Sequence, residues 1–519
     1  MGFLPTSKKE VEALGWDYLD VILFSGDAYV DHPAFGTAVI ARVLEAAGLR
    51  VAVVPQPNWR DDLRDFRKLG KPRLFFGVTA GAMDSMVNHY TATKRLRSDD
   101  AYTPEGRAGA RPDRATIVYT RILKEIYPDV PVVVGGIEAS LRREPHYDYW
   151  DNKVKPSILE ESGADFLIAG MGELPILYLA CRLGGLRLPG SIPFDGVTGC
   201  REEGGIIYGP QLSMAQMDWI YDLPFTKLPH PRYKGKRIPA YDMIKFSVTT
   251  HRGCFGACNF CAITAHQGKF IQSRSEDSIL REIERLTHHP EFKGTISDLG
   301  APTANMYLMG GKDTGLCAKC RRPSCLYPSM CRNLTHDHTP LLALYEKALS
   351  IPGVKHIYIG SGIRYDLFLD EKGFISGDGR RYFEELVTKH TGGRLKVAPE
   401  HTEDHVLAAM GKPGFKLFER LRVEFDQVIR KHHLKYQLVP YFISAHPGCT
   451  MKDMEALSRK AALHGLYMDQ VQDFTPTPMT VSTQMFHTGI DPRNGEKIFV
   501  ERDFVKKQKQ KSFFFNKRQ

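Results

Sequence analysis

Residues 245–261 read Lys245-Phe-Ser-Val-Thr-Thr-His251-Arg-Gly-Cys254-Phe-Gly-Ala-Cys258-Asn-Phe-Cys261. A short strand-like run, Lys245 to Thr249, leads into a loop with three cysteines spaced x3 and x2. Loops that follow parallel strands are where α/β sheets and barrels present their chemistry. Cysteine thiolate is the usual ligand of iron–sulfur clusters, and three thiolates can hold three irons of a 4Fe–4S cube. Gly253 and Gly256 let the loop bend around such a cube, and Phe260 can shield it from water. A zinc site borrowing His251 or His266 is the structural alternative. Zinc pairs Cys-x2–4-Cys with a distant second pair, whereas these three thiols fall within eight residues.

Three ligands leave one iron open, and an open iron suits catalysis rather than electron storage. The amino and carboxylate groups of S-adenosylmethionine (SAM) could chelate it, and one electron would then cleave the sulfonium to a 5′-deoxyadenosyl radical. A second group, Cys317-x2-Cys320-x4-Cys325-x5-Cys331, supplies four thiols within fifteen residues. It can close a zinc site or hold an auxiliary iron–sulfur cluster. Only Cys181, Cys200 and Cys449 of the ten cysteines stand outside these groups, which reads as metal ligation rather than a disulfide framework. His336 and His338 lie close by and read as a turn or cap.

Downstream, strand candidates at Thr295–Asp298, His356–Ile359, Leu395–Ala398, Tyr436–Phe442 and Met468–Phe474 alternate with helical patterns near 277–289, 340–350, 380–390, 403–410, 416–433 and 453–464. This spacing predicts a partial β/α barrel. Upstream, Leu19–Phe24, Val51–Val54, Leu74–Val78, Val130–Val134 and Phe166–Ala169 are apolar runs separated by helix-length segments, which predicts a doubly wound parallel sheet. The expected organisation is a Rossmann-like domain over 1–200, a connector over 201–240, a barrel over 241–490 and a basic tail over 491–519. Residues 93–114 form a long polar loop in which Arg97, Asp99 and Asp100 read as solvated charges.

Of 519 residues, 42% are hydrophobic and 25% charged, which excludes wholesale disorder. No apolar run reaches the length of a membrane span, and the first residues lack a signal-peptide core, so a cytoplasmic location is expected. From Phe504 onward, Lys506, Lys507, Lys509, Lys511, Lys517 and Arg518 occur without an acid and supply six of the ten net positive charges. The tail is expected to be a solvated terminus or a contact for RNA. With the rest only mildly basic, a general nucleic-acid-coating protein is disfavoured.

The Cys-x3-Cys-x2-Cys loop, with Phe260 before its last cysteine, resembles the radical SAM superfamily. Arg97-Ser-Asp-Asp-Ala-Tyr-Thr-Pro104, Gly135-Gly-Ile-Glu-Ala-Ser-Leu-Arg-Arg143, His146-Tyr-Asp-Tyr-Trp150, Asp298-Leu-Gly-Ala-Pro-Thr-Ala-Asn-Met-Tyr307, Val397-Ala-Pro-Glu-His-Thr402 and Tyr441-Phe-Ile-Ser-Ala-His-Pro-Gly448 narrow the resemblance to YgiQ-type radical SAM proteins. Ala301 departs from an expected glycine. The resemblance implies a 4Fe–4S cluster on Cys254, Cys258 and Cys261, SAM as cofactor and an electron donor such as flavodoxin or ferredoxin. SAM contacts are expected from Gly360, Ser361 and Arg364, and from Glu400. Longer members carry a C-terminal extension, in whose place the resemblance leads one to expect this chain's short basic tail.

The N-terminal half is similar to cobalamin-binding domains that precede many radical SAM barrels. It lacks their cobalt-ligating Asp-x-His-x-x-Gly, because Asp31 and His32 are adjacent. RNA or cofactor modification is the leading substrate expectation. The rivals are a cobalamin-dependent methyltransferase and a non-catalytic metal-binding RNA or assembly protein.

Overall fold

The computed structural model describes residues 2–194, 198–463 and 471–513. The chain divides into two compact units, Met1–Lys245 and Phe246–Gln519.

In the first unit, six parallel strands lie in the order Val51–Pro55, Val21–Ser25, Phe75–Thr79, Val132–Val134, Phe166–Ala169 and Ile206–Tyr208. Side chains alternate across a strand, so Val21 and Leu23 enter one apolar core while Ile22 and Phe24 enter another. Helices Gly36–Ala46 and Glu173–Gly184 cover the first face, and Ala115–Ile126 covers the second. Burial on both faces is why these strands are continuous apolar runs. Strand order reverses between Val21–Ser25 and Phe75–Thr79, which makes the crevice beyond their ends the natural ligand position of such a sheet.

Residues 201–240, expected as a connector, are part of this unit. Arg201–Glu203 and Ile206–Tyr208 form an antiparallel hairpin that extends the sheet. Gly204 and Gly205 both have positive φ, the requirement of a two-residue type I′ turn. Helix Met214–Asp222, opened by a Ser213–Gln216 capping box, buries Met217, Ile220 and Tyr221 in the same core.

The second unit is built on parallel pairings: Ser247–Thr249 with Asp298–Gly300, Thr295–Ile296 with His356–Ile357, and Arg394–Glu400 with Gln437–Ser444, which in turn pairs with Val471–Asp473. A parallel bridge between Ile363 and Val397 links the two halves of this array. Helices Glu276–Thr287, Thr339–Leu349, Gly377–Lys389, Asp404–Met410, Phe415–Lys431 and Met451–Leu463 alternate with the strands, as a partial β/α barrel requires. Ser275 caps the first of them by accepting from Ser278 N–H. The expected strand Met468–Phe474 is present as Val471–Asp473; its residues 468–470 lie outside the described residues.

The tail departs from its expectation. Residues 504–512 form a helix capped by Asp503, with Lys507 and Gln510 fully buried. Gln510 Oε1 accepts from Ala445 N–H at 3.0 Å, and Lys511 pairs with Asp473 at 3.5 Å. Among the charges counted toward a nucleic-acid contact, Lys506 and Lys509 are exposed, and Lys517 and Arg518 lie outside the described residues. No described helix is long and apolar enough to cross a membrane.

Candidate active site

The three-cysteine loop starts where strand Ser247–Thr249 ends, and its backbone explains its glycines. Gly253 has φ +89°, and a Cβ there would stand 2.2 Å from Phe270 O. A Cβ on Gly256 would stand 2.6 Å from Arg364 Nη1 and 3.4 Å from Cys254 Sγ. Ala257, with φ 43°, takes the left-handed conformation just before Cys258. Asn259 ties the loop to the helix Asp404–Met410, donating from Nδ2 to Ala409 O at 2.8 Å and from its backbone to Met410 O at 2.9 Å.

Cys254 is buried, with Sγ 3.3 Å from Thr303 Oγ1, and Cys258 and Cys261 are half-buried. Burial, with the neighbouring Cys258 and Cys254 sulfurs, pushes the Cys261 thiol up to about 12. Ligation would deprotonate such thiols, so metal binding there is coupled to proton release. Among the described residues no three His, Cys, Asp or Glu side chains are gathered tightly enough for a single metal ion. Three thiols around a loop kept open by Gly256, with a guanidinium at one sulfur, suit a cube that seats each thiolate on a different iron. By donor chemistry and by space, the residues fit a 4Fe–4S cluster.

Arg364 supplies that guanidinium. Its Nη1 donates to Cys258 Sγ at 3.2 Å, its Nε donates to Asp366 at 2.9 Å, and it is buried. Asn305 fixes its backbone by a two-way pair, Arg364 N to Oδ1 at 2.8 Å and Nδ2 to Arg364 O at 2.9 Å. Arg364, expected to contact SAM, thus has a carboxylate partner in Asp366 of its own loop. Glu400 is buried, close enough to Cys261 and Arg364 to interact with their charges, with φ 69° where the strand register shifts after Val397. Burial pushes its carboxyl up, against the lowering effect of Lys412, whose Nζ is 3.9 Å away, and of Arg364. A non-glycine residue held in that conformation marks a strained, shaped position.

Gly360 and Ser361 sit on the neighbouring strand end, and their backbone N–H groups are already engaged. Both donate to Asp298 Oδ1, at 2.8 and 3.1 Å, and Ser361 Oγ donates to Oδ2. The structure therefore brings Cys254, Cys258, Cys261, Arg364 and Glu400 together, whereas Gly360 and Ser361 form a braced loop. Sequence reasoning missed Asp298 and Asp366 as site residues, although Asp298 opens one of the diagnostic strings.

His251, the proposed zinc partner, is buried with Nδ1 2.9 Å from Thr250 Oγ1, and burial pushes its imidazole down to about 3. His338 stacks on Tyr382 at 4.5 Å, inside the barrel core.

In the first unit, the crevice at the strand reversal is filled by the chain itself. Asp27, Asp100 and Arg111 are all buried, and Arg111 bridges Asp27 at 2.9 Å and Asp100 at 3.0 Å. Asp100, expected as a solvated charge of the long loop, is a buried partner because Arg111 from the same loop returns to meet it. Arg97 and Asp99 are exposed, as expected. A Cβ on Gly26 would stand 2.3 Å from Ala80 O, so the two strand ends touch. A corrinoid entering that crevice would have to displace this buried pairing.

The sequence matches the Radical SAM N-terminal family over residues 3–188 and 206–247, and a domain of unknown function, DUF3362, over 469–517. A UPF0313 protein of Bacteroides thetaiotaomicron is 52% identical over 99% of this chain and 94% of its own. Another, from Methanocella arvoryzae, is 45% identical over 95% of this chain and 90% of its own. The fold is similar to TsrM of Kitasatospora setae, a radical SAM methyltransferase solved with tryptophan and a SAM analogue, with TM-score 0.52 and 16% identity over 90% of this chain and 74% of TsrM. It is also similar to OxsB, a cobalamin-dependent SAM radical enzyme solved with aqua-cobalamin, with TM-score 0.50 and 12% identity over 96% of this chain and 56% of OxsB. The cysteine loop, the β/α barrel that presents it and these relatives agree: the chain belongs to the UPF0313 family of YgiQ-type proteins and is a radical SAM enzyme.

Proposed function

We propose that Cys254, Cys258 and Cys261 hold a 4Fe–4S cluster whose open iron takes SAM, and that the enzyme modifies its substrate by hydrogen-atom abstraction. The bound pair supplies reductive cleavage of SAM, with one electron from a donor such as flavodoxin or ferredoxin. The chain's own residues do the rest. Gly253 and Gly256 shape the loop, and Arg364 offsets thiolate charge by donating to Cys258. Glu400, buried beside Lys412, is placed to accept from a SAM hydroxyl, while Gly360 and Ser361 wall the neighbouring strand end.

The observation that carries this reading is the convergence of three cysteines, Arg364 and Glu400 at the C-terminal ends of barrel strands, where such folds do their chemistry. The filled crevice of the first unit disfavours a cobalamin-dependent reaction, and the docked tail withholds Lys507 and Lys511 from an RNA contact. The test is anaerobic reconstitution with iron and sulfide, followed by assay of 5′-deoxyadenosine with a reductant. The wild type should form it and a Cys254→Ala, Cys258→Ala, Cys261→Ala variant should not. Zinc in place of iron, with no cleavage, would overturn the reading.

A further inference from the structure

The segment Gly311–Leu334 carries the other four clustered cysteines and closes on itself through a bridge between its first and last residues. Inside it, Cys320 N donates to Cys317 O at 3.1 Å and Cys331 N donates to Cys325 O at 2.7 Å. Asn333 Nδ2 donates to Cys317 Sγ at 3.3 Å. A Cβ on Gly311 would stand 2.2 Å from the same sulfur, so glycine is what makes room for it. These bonds fold Cys317 against Cys320 and Cys325 against Cys331 within the one closed segment.

This segment is seated on the three-cysteine loop. Cys325 N donates to Phe255 O at 3.0 Å, and the buried Ser324 Oγ donates to Gly256 O at 2.8 Å. Ser324 Oγ also accepts from the Leu326 and Tyr327 N–H groups. Cys254, Phe255, Met306, Met309, Leu326 and Leu334 share one small apolar core, against which Cys325 and Cys331 pack. Residues 312–332 contain Lys312, Lys319, Arg321, Arg322 and Arg332 against the single acid Asp313.

We propose that Cys317, Cys320, Cys325 and Cys331 hold a second 4Fe–4S cluster, closed by four protein thiolates. The donor set is all sulfur, and its x2, x4, x5 spacing is not the two Cys-x2–4-Cys pairs of a zinc ribbon. One zinc would need its sulfurs drawn to about 3.8 Å of one another, from Zn–S bonds of about 2.3 Å. A cube puts each thiolate on a separate iron and carries net negative charge, which the surrounding lysines and arginines offset. Four closed ligands leave no iron for SAM, so this site serves electron entry or the shape of the adjoining loop. It is independent of the reading that Cys254, Cys258 and Cys261 bind the SAM cluster.

The test is iron and acid-labile sulfide per chain in the reconstituted full-length protein, with electron paramagnetic resonance of the reduced samples. Wild type should carry about eight irons, as two 4Fe–4S cubes require. The Cys254→Ala, Cys258→Ala, Cys261→Ala variant should keep about half, with a signal that SAM does not alter. The Cys317→Ser, Cys320→Ser, Cys325→Ser, Cys331→Ser variant should keep the other half, with a signal that SAM shifts. Should that variant misfold, the triple-alanine variant still decides. Triple-alanine protein without iron, or wild type with stoichiometric zinc that the four serines abolish, overturns the proposal. A four-serine variant lacking all response to SAM, beside a triple-alanine variant that keeps its iron, would count instead against the SAM-cluster reading.

Discussion

Arg364 donates to the Cys258 sulfur at 3.2 Å while Asp366 holds the rest of its guanidinium. The arginine is thus shared between an acid that positions it and a thiolate whose charge it offsets. Arg364→Met should destabilise the second unit by about 3–5 kcal/mol, because it leaves Asp366 without its partner in a largely buried site. Arg364→Met with Asp366→Asn should recover most of that stability, yet SAM cleavage should stay about tenfold or more below wild type. That is the scale of a lost charge-assisted hydrogen bond, about 1.5–3 kcal/mol. Urea unfolding and 5′-deoxyadenosine formation separate the two effects; full activity in the double variant would show that the sulfur contact is incidental.

The two loop glycines should respond differently to alanine. Gly253→Ala meets a backbone oxygen at 2.2 Å in a left-handed conformation, so both space and φ oppose it. Gly256→Ala meets the movable end of Arg364 at 2.6 Å. Iron retained after reconstitution should fall severely in Gly253→Ala and only partly in Gly256→Ala. Equal retention in both would mean that the loop relaxes more freely than its packing allows.

Strands that are buried on both faces announce themselves as apolar runs, which is why both the parallel sheet and the barrel were legible in the sequence. The thiol loop was legible because its donors are neighbours in the chain. Partnerships between distant residues were not. Asp298 is 62 residues from Gly360, and nothing local says that its carboxylate ties that loop. Asp100 sits among charges and looks solvated until Arg111 folds back upon it. Gly204-Gly205 is a turn signal inside a segment read as a connector, and only the pairing of Ile206–Tyr208 with the distant strand Phe166–Ala169 makes it part of the sheet. Lysines read as solvent-seeking, so the burial of Lys507 ran against composition.

Asp27 gives a pH signature for the first unit. Burial pushes its carboxyl up to about 6, against the lowering effects of Arg111 and the Ala82 N–H, and Asp100 adds to the rise. A folded-state value above the unfolded one, about 3.9, means the folded state binds this proton more tightly. Its contribution to stability is therefore full below pH ~4 and is lost as pH rises through ~6. Relative to Asp27→Asn, wild type should lose about 2 kcal/mol between pH 4 and pH 7. Trp16, Trp59, Trp150 and Trp219 all lie in this unit, so tryptophan fluorescence during urea unfolding reports it alone. A gap that does not change with pH would show Asp27 to be ionised throughout by Arg111.

The docked tail is the last element whose behaviour differs from a basic, solvated terminus. Helix Phe504–Ser512 buries Lys507 beside the Phe486 ring, with Nζ 4.6 Å from its centroid, and satisfies the Ala445 N–H through Gln510. Ala445 has φ 56° and precedes His446, so the helix closes a strained turn at the end of strand Gln437–Ser444. Gln510→Ala leaves that buried N–H unsatisfied and should cost about 1–3 kcal/mol. Brief trypsin treatment gives the direct readout, since Lys506, Lys507, Lys509 and Lys511 are all potential cleavage sites. Wild type should resist cutting there and Gln510→Ala should be cut faster, because proteolysis follows the population of the undocked helix. Cleavage of wild type at the rate of a free peptide of the same sequence would show the helix to be undocked in solution, and the expectation of a solvated arm would be restored.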